Sequence, residues 1–375
     1  MPSPAIRVGL YIMAQPPLAL ARQLLSAARL LRLDSVMVPD HLQDWYPRAL
    51  WDRRFTWLAA RRASPHAYYD YQTLLGYFAA RAGRLRLGVG VTEPVRHHPV
   101  LIAQAVLTLA HLSRRPPILG VGAGERENTA PYGLTLAASV GRLEEALQII
   151  RQCFAGQRRL DFHGKHYQLD GAVLDLRPPA GRTPAIWVAA HGPRMLRLAG
   201  QYGDGWFPII LEPPADYAAK LAAIRSAAVE AGRNPQAITA ALAPIVVVAP
   251  TEQAARAMLD TRFIRFLGLL LPAASWQRVG ADHPFGEGFR GYVDFVPETY
   301  RRETLEAALA QVPWQVLAES MFWGTPGQIV DRLRAYGEAG LRYVVPALAS
   351  MALSPGAALY SLWALGRIVR ALRSG

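Results

Sequence analysis

Ser35-Val36-Met37-Val38-Pro39-Asp40-His41-Leu42-Gln43-Asp44-Trp45 is an apolar run that stops on a carboxylate, an imidazole and, a few residues later, an indole. A short, continuous, β-rich run is the pattern of a strand buried on both faces of a parallel sheet. In α/β folds the chemistry gathers just past the C-terminal ends of such strands. Upstream, Ile6 to Ile12 reads as a strand and Leu18 to Leu33 as a helix with leucines at helical spacing. Together with the Ser35 run they make a β-α-β unit.

The same layout recurs downstream. Tyr71 to Ala82 reads as a helix, and Leu85-Arg86-Leu87-Gly88-Val89-Gly90-Val91 as a third strand ending in Thr92-Glu93-Pro94. Pro99 to Leu112 is a helix opened by proline. Pro117 to Glu125 is a fourth, glycine-rich strand ending in a carboxylate. Its glycines fail the G-x-G-x-x-G spacing, because the third position falls on Glu125 or Glu127, which disfavours a dinucleotide-binding domain. A helix follows over Ala137 to Phe154, and Ala185 to Val188 is a fifth strand running into Ala189-Ala190-His191-Gly192-Pro193. Exposed amides at a helix start placed there bind phosphate and carboxylate groups.

Asp204 to Leu211 and Ala240 to Val248 give the sixth and seventh strands, with a helix over Pro214 to Gly232 between them. A helix opens at Thr325-Pro326, and Leu341 to Pro346 is the last strand. Eight strands alternating with helices predict an α/β fold of the (β/α)8 TIM-barrel type, one domain over residues 1–375. Three stretches break the rhythm. Trp45 to Asp70 is an aromatic, arginine-rich connection, read either as a lid of short helices or as cover for the barrel edge. Residues 157–182 read as a hairpin insertion, in which His163 and His166 are exposed rather than metal-ligating. Residues 267–322 read as an insertion shaping a substrate pocket. The apolar window Phe263 to Trp276 is too short to span a bilayer and suits a pocket wall.

Composition narrows the function. The 375 residues carry a net charge of +13, almost all from arginine, since Lys165 and Lys220 are the only lysines. The arginines come as scattered pairs with no long basic run, which argues against nucleic acid and leaves an acidic cofactor or lipid as partner. The single cysteine, Cys153, excludes a disulfide framework or thiolate cluster, and it falls in an amphipathic helix as a core residue. No metal-ligand spacing is present. Met1-Pro2-Ser3-Pro4 lacks the pattern of a secretory leader, so a cytoplasmic location is expected. The last helix, Leu359 to Leu372, sets Arg367, Arg370 and Arg373 beside an apolar stripe. It reads as the helix that closes the barrel, with peripheral membrane contact as a second use.

The motifs resemble the bacterial-luciferase-like superfamily, in the branch that uses the deazaflavin coenzyme F420. Pro39 to Trp45 is similar to the segment of F420-dependent glucose-6-phosphate dehydrogenases whose aspartate holds the coenzyme and whose histidine and tryptophan face hydride transfer. Leu87 to Pro94 resembles the family's third strand, which implies a non-proline cis peptide at Gly90–Val91 buttressing the deazaflavin. Gly124-Glu125-Arg126-Glu127-Asn128, Trp187 to Leu196 and Gly340 to Val345 are most similar to phthiodiolone dimycocerosate ketoreductases.

The resemblance implies a site of His41, Trp45 and Glu125 for catalysis. It implies a coenzyme site of Asp40, Gly90, Val91, Thr92, Gln104, Glu125, Ala189, Ala190, His191 and Gly192. His41 suits the proton donor or acceptor, because imidazole changes charge near neutral pH. A homodimer is also implied. The sugar-phosphate enzymes' late lysines and arginine are missing, with Pro208 to Glu212 and Ser320-Met321-Phe322 in their places, so an apolar or lipid-like carbonyl or alcohol is expected as substrate. The competing readings are an FMN-dependent monooxygenase on the same fold, and a non-catalytic barrel that binds anions or lipids.

Overall fold

The computed structural model describes residues 5–373. The opening Met1 to Pro4, read above for a leader, lies outside them. Ser35–Val38 is a strand buried at every position and paired in parallel on both sides. Having no solvent face, it shows no alternation in sequence. The first strand has two short parts. Arg7–Val8 pairs with Tyr343–Val344 of the last strand, while Leu10–Tyr11 pairs with the second strand. The two ends of the sheet are therefore one strand, and the sheet closes into the predicted barrel. The remaining staves are Arg86–Thr92, Ile118–Val121, Ala185–Val188, Gly205–Trp206 and Thr239–Leu242, all parallel.

Glycine sets how closely the third and fourth staves approach. A Cβ on Gly120 would stand 2.4 Å from the Val89 carbonyl oxygen, and one on Gly88 would stand 2.7 Å from that of Ile118. Any larger residue would part the strands.

Some boundaries differ from the sequence reading. The sixth strand is only Gly205–Trp206, because Pro208 offers no N–H to a neighbour. The seventh is interrupted at Pro244 and resumes as Ile245–Val248, where it pairs with Phe322–Gly324 and Ala347–Leu348. The last helix begins at Pro355, not Leu359: Ser354 accepts the Ala357 N–H at 3.0 Å and caps it.

Residues 267–322 prove largely helical, with Ala273–Gln277, Arg302–Ala310 and Trp314–Ser320. With Leu50 and Phe55 of the aromatic connection, and with Phe263, Phe266, Trp276 and Phe295, they form a second apolar core beside the barrel. The connection itself holds two short 3-10 turns, Arg48–Leu50 and Trp57–Ala60. Residues Leu160–His163 and Gln168–Ala172 form the antiparallel hairpin. The Glu145 carboxylate anchors it by accepting the N–H groups of Lys165, His166 and Tyr167. Cys153 is buried in the helix Ser139–Ala155, where burial pushes its thiol up to about 11.

Candidate active site

The C-terminal ends of the second to fifth strands bring most of the predicted residues onto one face of the barrel. Asp40 follows the second strand and is buried. Its Oδ2 accepts from Thr92 Oγ1 at 2.6 Å, pairs with Arg96 at 3.0 Å and meets His97 Nε2 at 3.0 Å. Burial raises its pKa, but the His97 and Thr92 hydrogen bonds and the Arg96 charge outweigh that and hold the carboxyl below its ordinary value. Arg96 also donates to Glu93 Oε1 at 2.6 Å and to the Asp40 carbonyl at 2.9 Å, so one guanidinium ties the second strand end to the third.

The Gly90–Val91 peptide is cis, as the resemblance implied. Tyr11 Oη donates to the Gly90 carbonyl and pins that peptide from the first strand.

The catalytic candidates form a single cluster. Asn128 Oδ1 accepts the backbone N–H of Leu42 at 2.7 Å and of Gln43 at 3.3 Å. Backbone N–H groups only donate, so this fixes which end of the amide is oxygen. Asn128 Nδ2 therefore donates, at 2.7 Å to His41 Nδ1 and at 2.7 Å to Glu127 Oε1. A His41 Nδ1 that accepts is unprotonated, and the neutral ring carries its proton on Nε2. Trp45 packs edge-on against His41 with ring centroids 4.8 Å apart.

Glu125 and the fully buried Glu127 face each other. Enclosure by protein, then the charge and hydrogen bond of Glu127, push Glu125 well above the usual carboxylate range. Burial likewise pushes Glu127 up to about 7. Trp45 Nε1 is buried without a partner at hydrogen-bond distance, and its N–H acts at longer range on Glu125. Ligand atoms of His41, Glu125 and Glu127 lie within 4.8 Å of one another, close enough to share one small cation. Their raised carboxyls make the same cluster a store of protons near neutral pH.

At the fifth strand end, Ala189 N–H donates to the Val121 carbonyl at 2.9 Å and the Ala190 carbonyl accepts from Trp206 Nε1 at 2.8 Å. Gly192 caps the helix Pro193–Tyr202 with no side-chain acceptor and no acid in the first turn, so its leading amides are free for an anion. Burial and the charge of Lys220 push His191 down to about 4, which keeps it neutral. Gln104 lies on the exposed face of the helix Pro99–Leu112, whose inward face is Ile102, Ala103, Val106 and Leu107.

Beside the cluster opens a cavity of about 450 Å³, with Tyr11, Trp45 and Tyr292 at its inner end. Among the described residues on its wall only Arg62 is charged, and Arg62 donates to Gln15, whose own amide donates to Asp44 at 2.7 Å. Phe263 and Leu267 of the apolar window line it, as a pocket wall should. Lys220 is not on this wall: it pairs with Glu212 at 2.6 Å and its charge is felt at His191. Sequence reading passed over Glu127, Asn128, Arg96 and Tyr11. The Glu125-x-Glu127-Asn128 spacing was the one local signal for the first two.

A closed parallel barrel with an imidazole, an indole and a proton-holding carboxyl pair at its strand ends defines the class. The chain belongs to the luciferase-like monooxygenase family, whose sequence profile matches residues 5–343. It is 39% identical over 333 residues to the phthiodiolone/phenolphthiodiolone dimycocerosates ketoreductase of Mycobacterium tuberculosis, covering 88% of this chain and 87% of that one. It is 32% identical over 352 residues to the F420-dependent glucose-6-phosphate dehydrogenase of Nakamurella multipartita, covering 92% and 91%. Among solved structures, an F420-dependent secondary alcohol dehydrogenase in complex with an F420-acetone adduct has the same fold, with a TM-score of 0.77 at 20% identity over 98% of this chain and 99% of that one.

Proposed function

We propose that the protein is an F420-dependent oxidoreductase that exchanges hydride between the coenzyme and the carbonyl or alcohol carbon of an apolar, lipid-like substrate. The observation that carries this reading is the cluster itself. His41 Nε2–H, the unpartnered Trp45 N–H and the Glu125–Glu127 pair lie beside the cis Gly90–Val91 peptide and an almost uncharged cavity. The curated relatives support it, one named a ketoreductase and the other F420-dependent.

The residues fit such a coenzyme. Small side chains at Gly122, Ala123, Ala189 and Ala190 leave room at the strand ends, and the uncapped amides after Gly192 suit an acidic tail. Asp40, Val91, Thr92, Ala189, Ala190, His191 and Gly192 would hold it. When bound, it supplies a carbon that gives or takes hydride, with little oxygen chemistry. In reduction His41 gives its Nε2 proton to the substrate oxygen as Nδ1 takes one from Glu127, whose Oε1 lies 3.5 Å away, so the ring stays neutral; oxidation runs the same relay backwards. Asn128 keeps the ring in the tautomer that can do so. Glu125 and Glu127 hold a shared proton close to His41, and Trp45 closes the wall between cluster and cavity.

The absence of phosphate-gripping cations among the described residues of the cavity favours an uncharged substrate over a sugar phosphate. A homodimer, a reducing cytoplasm for the free thiol Cys153, and contact of Arg367, Arg370 and Arg373 with anionic lipid complete the proposal. Exposed Leu359 and Trp363 on the same helix support the last of these. The test is His41→Ala assayed against F420 and an apolar ketone. Loss of most turnover with coenzyme still bound is expected, and retained turnover removes His41 from the mechanism.

A further inference from the structure

We infer that the lateral arm of the cavity, running outward between the first and last helices, is a binding site for the alkyl tail of the substrate. The helices Leu18–Leu30 and Pro355–Arg373 are in contact at one end. A Cβ on Gly366 would stand 3.0 Å from Leu31, and Arg373 donates to the Arg32 carbonyl. At the opposite end, towards the active site, residues of both helices line the cavity.

There Leu20, Ala21 and Leu24 of one and Ala358, Leu359 and Leu362 of the other line open space instead of packing together. Each set is spaced i, i+1 and i+4, part of the apolar stripe that normally closes one helix on the next. The small side chains Ala21 and Ala358 leave the gap unfilled. Gln23, Pro355 and Leu359 line the cavity and are exposed, Leu359 by 73%, so the arm reaches the surface there. Its inner end is Tyr11 and Trp45, beside the proposed chemistry.

An apolar passage with a reactive head at one end and solvent at the other suits an unbranched chain that enters tail-first or leaves its end outside. The one charge among the described residues of its wall, Arg62, is engaged, so the ligand class is a neutral alkyl ketone or secondary alcohol. Each methylene buried there strengthens binding by roughly three- to fourfold until the arm is full.

Which end is the head rests on the proposed hydride transfer, so two readouts are used. In the first, kcat/KM is measured with F420 across 2-alkanones from 2-butanone to 2-dodecanone, for the wild type, Ala358→Trp and Leu359→Glu. In the second, a terminally brominated dodecanol is titrated without coenzyme, following quenching of tryptophan fluorescence, since Trp45, Trp51 and Trp57 line the cavity. The wild type should gain with chain length and be quenched. Ala358→Trp should lose both while keeping its 2-butanone rate and its melting temperature, and Leu359→Glu should lose part of the gain.

An unchanged chain-length slope in Ala358→Trp overturns the site. So does turnover of short ketones with no length gain and no quenching, an outcome that leaves the hydride reading intact. Quenching in the wild type but not in Ala358→Trp, with no ketone reduced at all, supports the site and refutes the hydride reading instead.

Discussion

Replacing Glu127 by Gln tests whether the buried carboxyl pair is a proton store. In the wild type Glu127 holds its proton up to about 7, chiefly because of burial, against 4.5 for an ordinary glutamate. Between those values the native state binds more protons than the unfolded chain, so stability falls as pH rises, and the cost is complete above both. At about 1.4 kcal/mol for each pH unit, the folded protein gives up about 3 kcal/mol between pH 4.5 and pH 7 on this account. In Glu127→Gln the introduced amide stands in for the neutral acid. Its oxygen keeps the 2.7 Å bond from Asn128, and its NH2 takes the place of Oε2, which has no partner of its own.

The variant should therefore match the wild type near pH 4.5 and be about 2–3 kcal/mol more stable at about pH 8.5, in urea unfolding followed at both pH values. It should also lose the ionisation near pH 7 from its pH–rate profile, because Glu125 is left beside a donor that does not titrate. Parallel pH dependences of stability for the two proteins would refute the reasoning.

His41→Ala should lower kcat for ketone reduction by about 10²- to 10⁴-fold while F420 affinity stays within about threefold, checked by steady-state kinetics and fluorescence quenching. Asp40→Ala removes the carboxylate that Arg96, Thr92 and His97 share, while Arg96 keeps Glu93 and the residue 40 carbonyl, so it should destabilise the fold by about 2 kcal/mol at about pH 7. The Asp40 carboxyl is held below its ordinary value, so its stabilisation is present above about pH 4 and lost as pH falls through the lower native value. The variant and wild type should converge in acid unfolding. For membrane contact, truncation after Pro355 would remove core residues such as Leu365 and Ile368, so Arg367→Gln, Arg370→Gln and Arg373→Gln together are the cleaner change. This triple variant should sediment less with anionic vesicles than the wild type and equally with neutral ones.

The barrel was legible in sequence wherever a strand was buried on both faces. Ser35–Val38 and Ala185–Val188 carry only apolar or small residues apart from Trp187, and the polar residues just past them mark the chemical face. Asp40, His41 and Trp45 could be picked out because they follow such a run directly. Asn128 and Glu127 could not. They sit in the single 3-10 turn Arg126–Asn128, with no period to read, and the partners of Asn128 lie 86 and 85 residues earlier in the chain. The link from Tyr11 to Gly90 spans 79 residues and gives no local sign. The 267–322 insertion looked irregular because its helices are short, and the aromatic connection that completes its core comes from the distant Leu50 and Phe55. Gln104 followed from resemblance alone, and helix geometry turns it to solvent. The first and last helices each read as ordinary amphipathic helices, since a cavity between two stripes leaves no mark on either.

Coenzyme choice is the most direct test of the central claim. Pure protein is titrated separately with oxidised F420 and with FMN, following the fluorescence of each chromophore. The account predicts saturable quenching by the protein with F420 and none with FMN. Saturable FMN binding with no response from F420 would contradict it and turn the chain into an oxygen-using monooxygenase on the same barrel.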